Sequence, residues 1–295
     1  MREVSLEELL EAGCHFGHQV TRQNPKARDY VFEARDNIHI IDLAKTKEGL
    51  ESAAHFVKEL AKKNGSLIVV GTKRQAQGIV REEVTRAHEE TGGEDGLYTI
   101  TNRWIGGILT NLSEVSKNFK KLKDYGNKLQ SDEEKSKYTK KEIGQWQKDR
   151  VKLEGLYGGV QNMKSVPEAL FIIDTHLEDL SVREAARTGI KTVGIVDTNA
   201  DPNVIDYPIP ANDDAVGSIK LIVSYIIDSW IEGRKAAKNE AGKEGTKGTK
   251  ETKGKEASKN QEEKNDTKEK KSSEKEEKPK AKKTTKRTKK IEGKA

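Results

Sequence analysis

The chain predicts an α/β fold: a parallel sheet with helices on both faces. Two observations carry this. The runs 67–70 (Leu-Ile-Val-Val) and 169–173 (Ala-Leu-Phe-Ile-Ile) are apolar at every position, as strands covered on both faces must be. Segments of helical period stand between such runs, so strands and helices alternate along the chain. A third observation modifies the picture. The stretch 104–163 interrupts the alternation and reads as two helices with a polar tip at 131–141.

In chain order, Ser5-Leu6-Glu7-Glu8 is a capping box, in which Ser5 starts a helix and Glu8 bonds back. Leu6, Leu9 and Leu10 form its apolar face and Gly13 suits its stop. Residues 30–33 and 38–42 read as strands joined by a turn at Arg35-Asp36-Asn37. Thr46 is the expected cap of a helix carrying Leu50, Ala53, Ala54, Val57 and Leu60, which Asn64-Gly65 ends. After strand 67–70 come a helix over 74–91 and a strand at 97–100. Beyond the interruption lie strand 169–173, a helix through Val182, Ala185 and Ala186, and a strand at 192–196. Asp213 is the expected cap of a last helix, whose apolar side is Val216, Ile219, Ile222, Val223, Ile226, Ile227 and Trp230.

In the interruption, Leu112, Val115, Phe119, Leu122, Tyr125 and Leu129 recur at steps of three or four, and Ile143, Trp146, Leu153 and Tyr157 resume the pattern. Two stripes this narrow suit an antiparallel, coiled-coil-like hairpin projecting from the sheet, about 30 Å long at about 1.5 Å per residue. Its outer faces are rich in lysine. The expected organisation is therefore an α/β domain from 1–103 and 161–233, a hairpin inserted at 104–160, and a tail at 234–295.

The tail holds 23 Lys and Arg against 12 Asp and Glu, a net of +11, and the rest of the chain carries −5. Basicity thus belongs to the tail, and a nucleic-acid face elsewhere must come from local clustering. The tail has one strongly apolar residue, Ile291, too little to offset the entropy of ordering, and is expected to be disordered. It either strengthens attachment to phosphate or merely solubilises the chain. Cys14 is the only cysteine, so no intramolecular disulfide can form. With no signal-peptide layout at the N-terminus and no apolar run long enough to span a bilayer, a soluble cytoplasmic protein without membrane contact is expected.

Strand ends are where α/β proteins bind ligands, so Gly71-Thr72-Lys73-Arg74, Asp174-Thr175-His176 and Asp197-Thr198-Asn199 are the places to look. The first lacks phosphate-loop spacing, and no GxGxxG or GxSxG follows a strand. His15-x-x-His18 beside Cys14 has no second ligand pair, so packing histidines are expected and no metal or cofactor. Asp174, Asp197, Asp201, Asp213 and Asp214 are read as caps and turn residues and not as a Mg²⁺ cluster.

Several stretches, in order, carry a resemblance: LLEAGCHFGHQ from Leu9, Asn24-Pro25-Lys26, NIHIIDL from Asn37, VGTKRQAQ from Val70, NRWIGGILTNL from Asn102, ALFIID from Ala169 and IVDTNADPNVIDYPIPANDD from Ile195. Over about residues 3–232 the chain resembles the S-two family, the bacterial-type second protein of the small ribosomal subunit. The resemblance implies a flavodoxin- or Rossmann-like domain with a long α-hairpin and no catalytic activity. It also implies a seat near the head–body junction of the small subunit, as a monomer in contact with ribosomal RNA and neighbouring proteins, and a part in recruiting the mRNA-binding protein S-one. Gln23 stands where the family usually has Trp, and the long Lys/Glu tail is not a family feature.

The candidate RNA contacts are cationic or polar groups in local clusters. Lys117, Lys120, Lys121, Lys128, Lys137, Lys140 and Lys141 lie on the hairpin. Arg22, Asn24, Lys26 and Arg28 form a basic loop, Lys73 and Arg74 sit between a strand end and a helix start, and Arg103 precedes Trp104. For each the bland reading is solvated surface, and for Trp104 it is packing at the hairpin root. The competing function is a nucleotide- or sugar-phosphate-binding enzyme that uses the strand ends, and a more distant one is a surface adhesin.

Overall fold

The computed structural model describes residues 2–93, 96–131 and 135–262. Five parallel strands make the main sheet: β4 (Leu67–Val70), β5 (Leu97–Ile100), β6 (Ala169–Ile172), β7 (Lys191–Val196) and β8 (Tyr207–Pro210), in the spatial order β5-β4-β6-β7-β8. Leu67 lies opposite both Leu97 and Ala169, so the central strands are in full register. Three short strands, β1 (Phe16–Gln19), β2 (Val31–Arg35) and β3 (Ile38–Ile41), make an antiparallel sheet in the order β1-β3-β2.

Side chains alternate across a strand, so β4, β5, β6 and β7 each feed two cores, and β8 feeds the first through Ile209. Leu67, Val69, Phe171, Val193, Ile195 and Ile209 pack with the helices α2 (Leu43–Lys62), α3 (Arg74–Thr91) and α7 (Val216–Glu262). Ile68, Val70, Ile100, Leu170, Ile172 and Val196 pack on the other face with α4 (Leu112–Gln130), α6 (Asp179–Thr188) and Trp104. The short helix α1 (Leu6–Glu11) has the capping box formed by Ser5 and Glu8 and buries Leu9.

α4 pairs with α5 (Lys140–Tyr157), which opens on a second capping box, Thr139 with Glu142. Phe119 meets Tyr157 edge-on and Tyr125 stacks on Trp146, so the two helices run antiparallel. The narrow-seam expectation holds only for the distal half. Nearer the sheet, Val115, Phe119, Leu122 and Tyr157 are buried in the second core with Trp104. The pair is therefore rooted in the globule. Of the tip expected at 131–141, residues 132–134 lie outside the described residues.

Several boundaries differ from expectation for local reasons. Asp42, not Thr46, caps α2 by accepting from Ala44 N, and Thr46 is buried inside the helix, donating to the carbonyls of Asp42 and Pro210. Asn212, not Asp213, precedes α7 as the capping side chain, its Oδ1 accepting from the backbone of Asp214 and Ala215. β8 contains Pro208 and Pro210, which argue against a strand; at the sheet edge, with only β7 to pair, a missing outward N–H costs nothing.

The compact body reaches past Gly233. Unit Met1–Glu240 is one compact body, and Arg234 within it is 5 % exposed. Its guanidinium donates to Asn64 Oδ1 and Gly65 O and stacks over Trp230. The backbone of α7 is helical to Glu262, and residues 263–295 of the expected tail lie outside the described residues.

Candidate nucleic-acid interface and the strand-end crevice

Parallel strands bring their C-terminal ends to one rim. β4, β6, β7 and β8 therefore deliver Lys73, Asp174, Asp197 and Asp213 to one place. Lys73 Nζ lies 3.1 Å from Asp174 Oδ2, 2.8 Å from Asp213 Oδ1 and 2.6 Å from Asp214 Oδ1. Burial works against the Lys73 charge, but hydrogen bonds to Asp213 and Asp214 and the field of Asp174 outweigh it and raise its pKa. Burial also drives the Asp213 carboxyl up, reinforced by Asp174 and Asp197 and opposed by Lys73, to about 7.

β1 brings His18 to the same rim. Thr198 Cγ2 lies 2.8 Å from where a Cβ on Gly17 would stand, so only glycine lets the strand approach this closely. The backbone N of His18 donates to Thr198 Oγ1. Its ring places Nδ1 3.1 Å from Asp197 Oδ2 and Nε2 3.6 Å from Asp214 Oδ2. The hydrogen bond to Asp197 raises the His18 pKa, burial opposes it, and Asp213 and Asp214 add to the rise.

This rim includes the switch point of the sheet, between β4 and β6, where a nucleotide would sit in an open α/β enzyme. Here the crevice is filled by the chain's own ion network, with Asp174, Asp213 and Asp214 on Lys73 and Asp197 on His18, and this cluster of carboxylates disfavours a phosphate. The reading of Lys73 as a phosphate contact is thus corrected: its ammonium is spent on three aspartates. The reading of the aspartates as separate caps is corrected too. Asp174 does close a turn onto His176 and Leu177, and Asp201 onto Asn203, but Asp174, Asp197, Asp213 and Asp214 also converge. β8 went unrecognised in the sequence, and with it the fact that Asp213 follows a strand end. That rule, applied to every strand, was the signal able to find the cluster.

The basic loop is partly committed as well. Asn24 Oδ1 accepts from Lys26 N at the head of a 3-10 turn over Pro25–Tyr30, and Lys26 Nζ pairs with Asp201 at 2.6 Å. Arg22, Arg28, Arg74 and Arg103 are exposed. Trp104 is 4 % exposed within the second core, so it packs at the hairpin root and offers no face to a base. Cys14 is buried, its thiol pKa raised by that burial.

On the α4–α5 pair, Lys120, Lys121, Lys123, Lys140, Lys141, Lys148 and Lys152 are exposed. Lys117 pairs with Glu114, and Lys128 lies over the ring of Trp146. Lys137 is exposed near the start of α5 and has an interaction of its own. The seam buries Phe119 and Tyr157, half-buries Tyr125 and Trp146, and turns the ammonium groups outward.

A parallel α/β body whose strand-end crevice is closed by its own ions, with a lysine-studded helix pair beside it, is the architecture of a binding or structural protein. The sequence model of the family described as ribosomal protein S2 matches residues 9–233, and the chain belongs to that family. It is accordingly a structural protein of the small ribosomal subunit, associated there with ribosomal RNA and small-subunit proteins.

Proposed function

We propose that the chain binds ribosomal RNA through an inserted, projecting α4–α5 arm (104–160), with exposed loop arginines as secondary contacts, while the α/β body seats it near the head–body junction. The observation that carries this is the segregation of the arm: aromatic seam inside, Lys120, Lys121, Lys123, Lys140 and Lys141 outside. Such a preformed array neutralises phosphates without ordering cost at the moment of binding, and fixes position more than sequence. Lys117, Lys128 and Lys137 serve from the same surface, and Arg22, Arg28, Arg74 and Arg103 extend it on the body. Asn24, Lys26 and Lys73 have structural partners and drop from the contact set.

Membership of the S2 family supports the further step, that the seated protein helps recruit the mRNA-binding protein S-one in the cytoplasm. The basic segment beyond Glu240 adds non-specific phosphate affinity. Sedimentation tests the reading. Tagged chain travels with small subunits in a sucrose gradient, and a variant with Lys120, Lys123, Lys140 and Lys141 changed to Glu falls to the top fractions while keeping its melting temperature. Wild-type chain absent from small-subunit fractions, or the charge-reversed chain still bound at wild-type occupancy, overturns it.

A further inference from the structure

A sheet edge is a row of unpaired N–H and C=O groups, and folded proteins close or blunt it. Among the described residues the two sheets have four edges, and three are closed by the chain itself. β8 carries Pro208 and Pro210, which have no N–H to offer. The 3-10 turn Gly158–Val160 lies against β5, so close that no Cβ would fit between Gly159 and Thr99. β1 is held to the end of the main sheet by the His18 N–H donating to Thr198 Oγ1. β2 is the fourth edge, outermost in the order β1-β3-β2. Its residues 32–35 are all exposed, and Phe32, at 72 %, is the most exposed large apolar side chain among the described residues. β2 holds neither Pro nor Lys, the residues that usually blunt an edge. A bulge between Val31 and Glu33 confines its regular pairing to residues 33–35.

The hairpin fixes which backbone groups face out. Asp36 and Asn37 both have positive φ and Arg35 lies opposite Ile38, so a two-residue type I′ turn joins β2 to β3. The pair that closes such a turn exchanges its hydrogen bonds, and the next pair, Ala34 with His39, does not. The N–H and C=O of Ala34 therefore point away from β3, to the open edge. Bonds on the far side of β3 agree with this alternation: Asn37 O accepts from Val20 N, and Ile41 N donates to His15 O, both toward β1.

We propose that β2 docks with β2 of a second copy of this chain, the two strands antiparallel about a two-fold axis at Ala34. Ala34 then exchanges both backbone bonds with its counterpart, and each Glu33 stands opposite Arg35 of the second copy. Neighbouring registers fail. An axis between two residues sets the outward groups of Ala34 against groups already bonded to β3. An axis on Glu33 or on Arg35 sets like charges face to face, which destabilises a pair. Backbone and charge thus select the same centre, and this self-complementarity is what favours a second copy over an unrelated strand. Phe32, at the end of the paired segment, comes to the turn of the second copy and loses exposure. An isologous contact of this kind closes on itself and stops at two. The paired segment is short, so the dimer is weak and forms only as concentration rises. The pairing belongs to the free chain and does not rest on the RNA-binding reading.

The test uses the purified full chain, freed of nucleic acid, in sedimentation velocity over a concentration series. The expected result is a shift from monomer to a species of twice the mass, with nothing larger. Glu33→Arg alone and Arg35→Glu alone each abolish the shift while keeping the circular dichroism of the wild type, both positions being exposed. The two changes in one chain restore it. Ala34→Cys is joined by a short bismaleimide into a covalent dimer, the buried Cys14 staying unreactive, and adding Arg35→Glu abolishes that cross-link. A wild-type chain that stays monomeric throughout overturns the proposal and leaves the edge to a strand of another protein. A dimer that survives either single reversal overturns it too, because another surface then holds the copies together. So does a folded double variant that fails to recover the dimer, since the Glu33–Arg35 register is then wrong.

Discussion

Lys73 Nζ and Asp213 Oδ1 stand 2.8 Å apart, joining the end of β4 to the start of α7 across 140 residues of chain. The pair closes the crevice in which an open α/β enzyme holds a nucleotide, and it gives Lys73 a structural role that its exposed neighbour Arg74 does not share. Lys73→Met strands a buried carboxylate, and the loss of stability is expected to be about 3 kcal/mol. Arg74→Ala, one residue on and exposed, is expected to stay within about 0.5 kcal/mol of wild type. Urea denaturation of both chains checks the contrast, and equal effects would remove the structural role given to Lys73.

Under the proposed function the arm's lysines act through counterion release. Each one that neutralises a phosphate contributes roughly 0.9 to the slope of log affinity against log salt, by analogy with duplex DNA. Removing Lys120, Lys123, Lys140 and Lys141 together is expected to flatten that slope and weaken binding across RNA sequences alike. Filter binding over a salt series reads it, and an unchanged slope in a folded variant refutes the assignment.

Root and tip of the arm differ in what their aromatic groups support. Trp104 lies in the second core, so Trp104→Ala is expected to cost about 3–5 kcal/mol of global stability. Trp146 packs against Tyr125 and Tyr138 away from that core, and Trp146→Ala is expected to loosen the distal arm with about 1 kcal/mol or less of global loss. Hydrogen exchange distinguishes the two: faster exchange confined to 120–150 in the second variant, and throughout the sheet in the first.

Asp206 supplies a pH dependence. Burial alone would raise its carboxyl, but the Lys191 ammonium and two donors from Thr192 hold it below the usual aspartate range. A carboxyl depressed by folding stabilises the protein above its unfolded pKa, about 3.9, and that stability is lost as the pH falls through the lower folded value. Asp206→Asn is therefore expected to be less stable at neutral pH and to show a shallower loss below about pH 4. Parallel acid-denaturation curves would count against the interaction.

The folded body extends past Gly233. A chain ending at Gly233 loses the Arg234 bonds to Asn64 and Gly65 and its stacking on Trp230, and is expected to melt lower than one ending at Glu240. Arg234→Ala should reproduce most of the difference in differential scanning calorimetry.

Sequence alone determined the layers of this protein. An all-apolar Leu67–Val70 has no other stable use than a buried strand, and the stripe on α2 or α7 follows from the period of the helix. Those patterns are local, because burial of one face imposes them on every few residues. Tertiary structure decided what the polar groups do. Thr46 looked like a cap and became a core residue; Asp213 looked like a cap and became the buried partner of Lys73; His18 and Asp197, 179 positions apart, became neighbours. A carboxylate or imidazole finds its partner through the order of strands in the sheet. That order depends on long-range pairing, which the chain's periodicity does not encode.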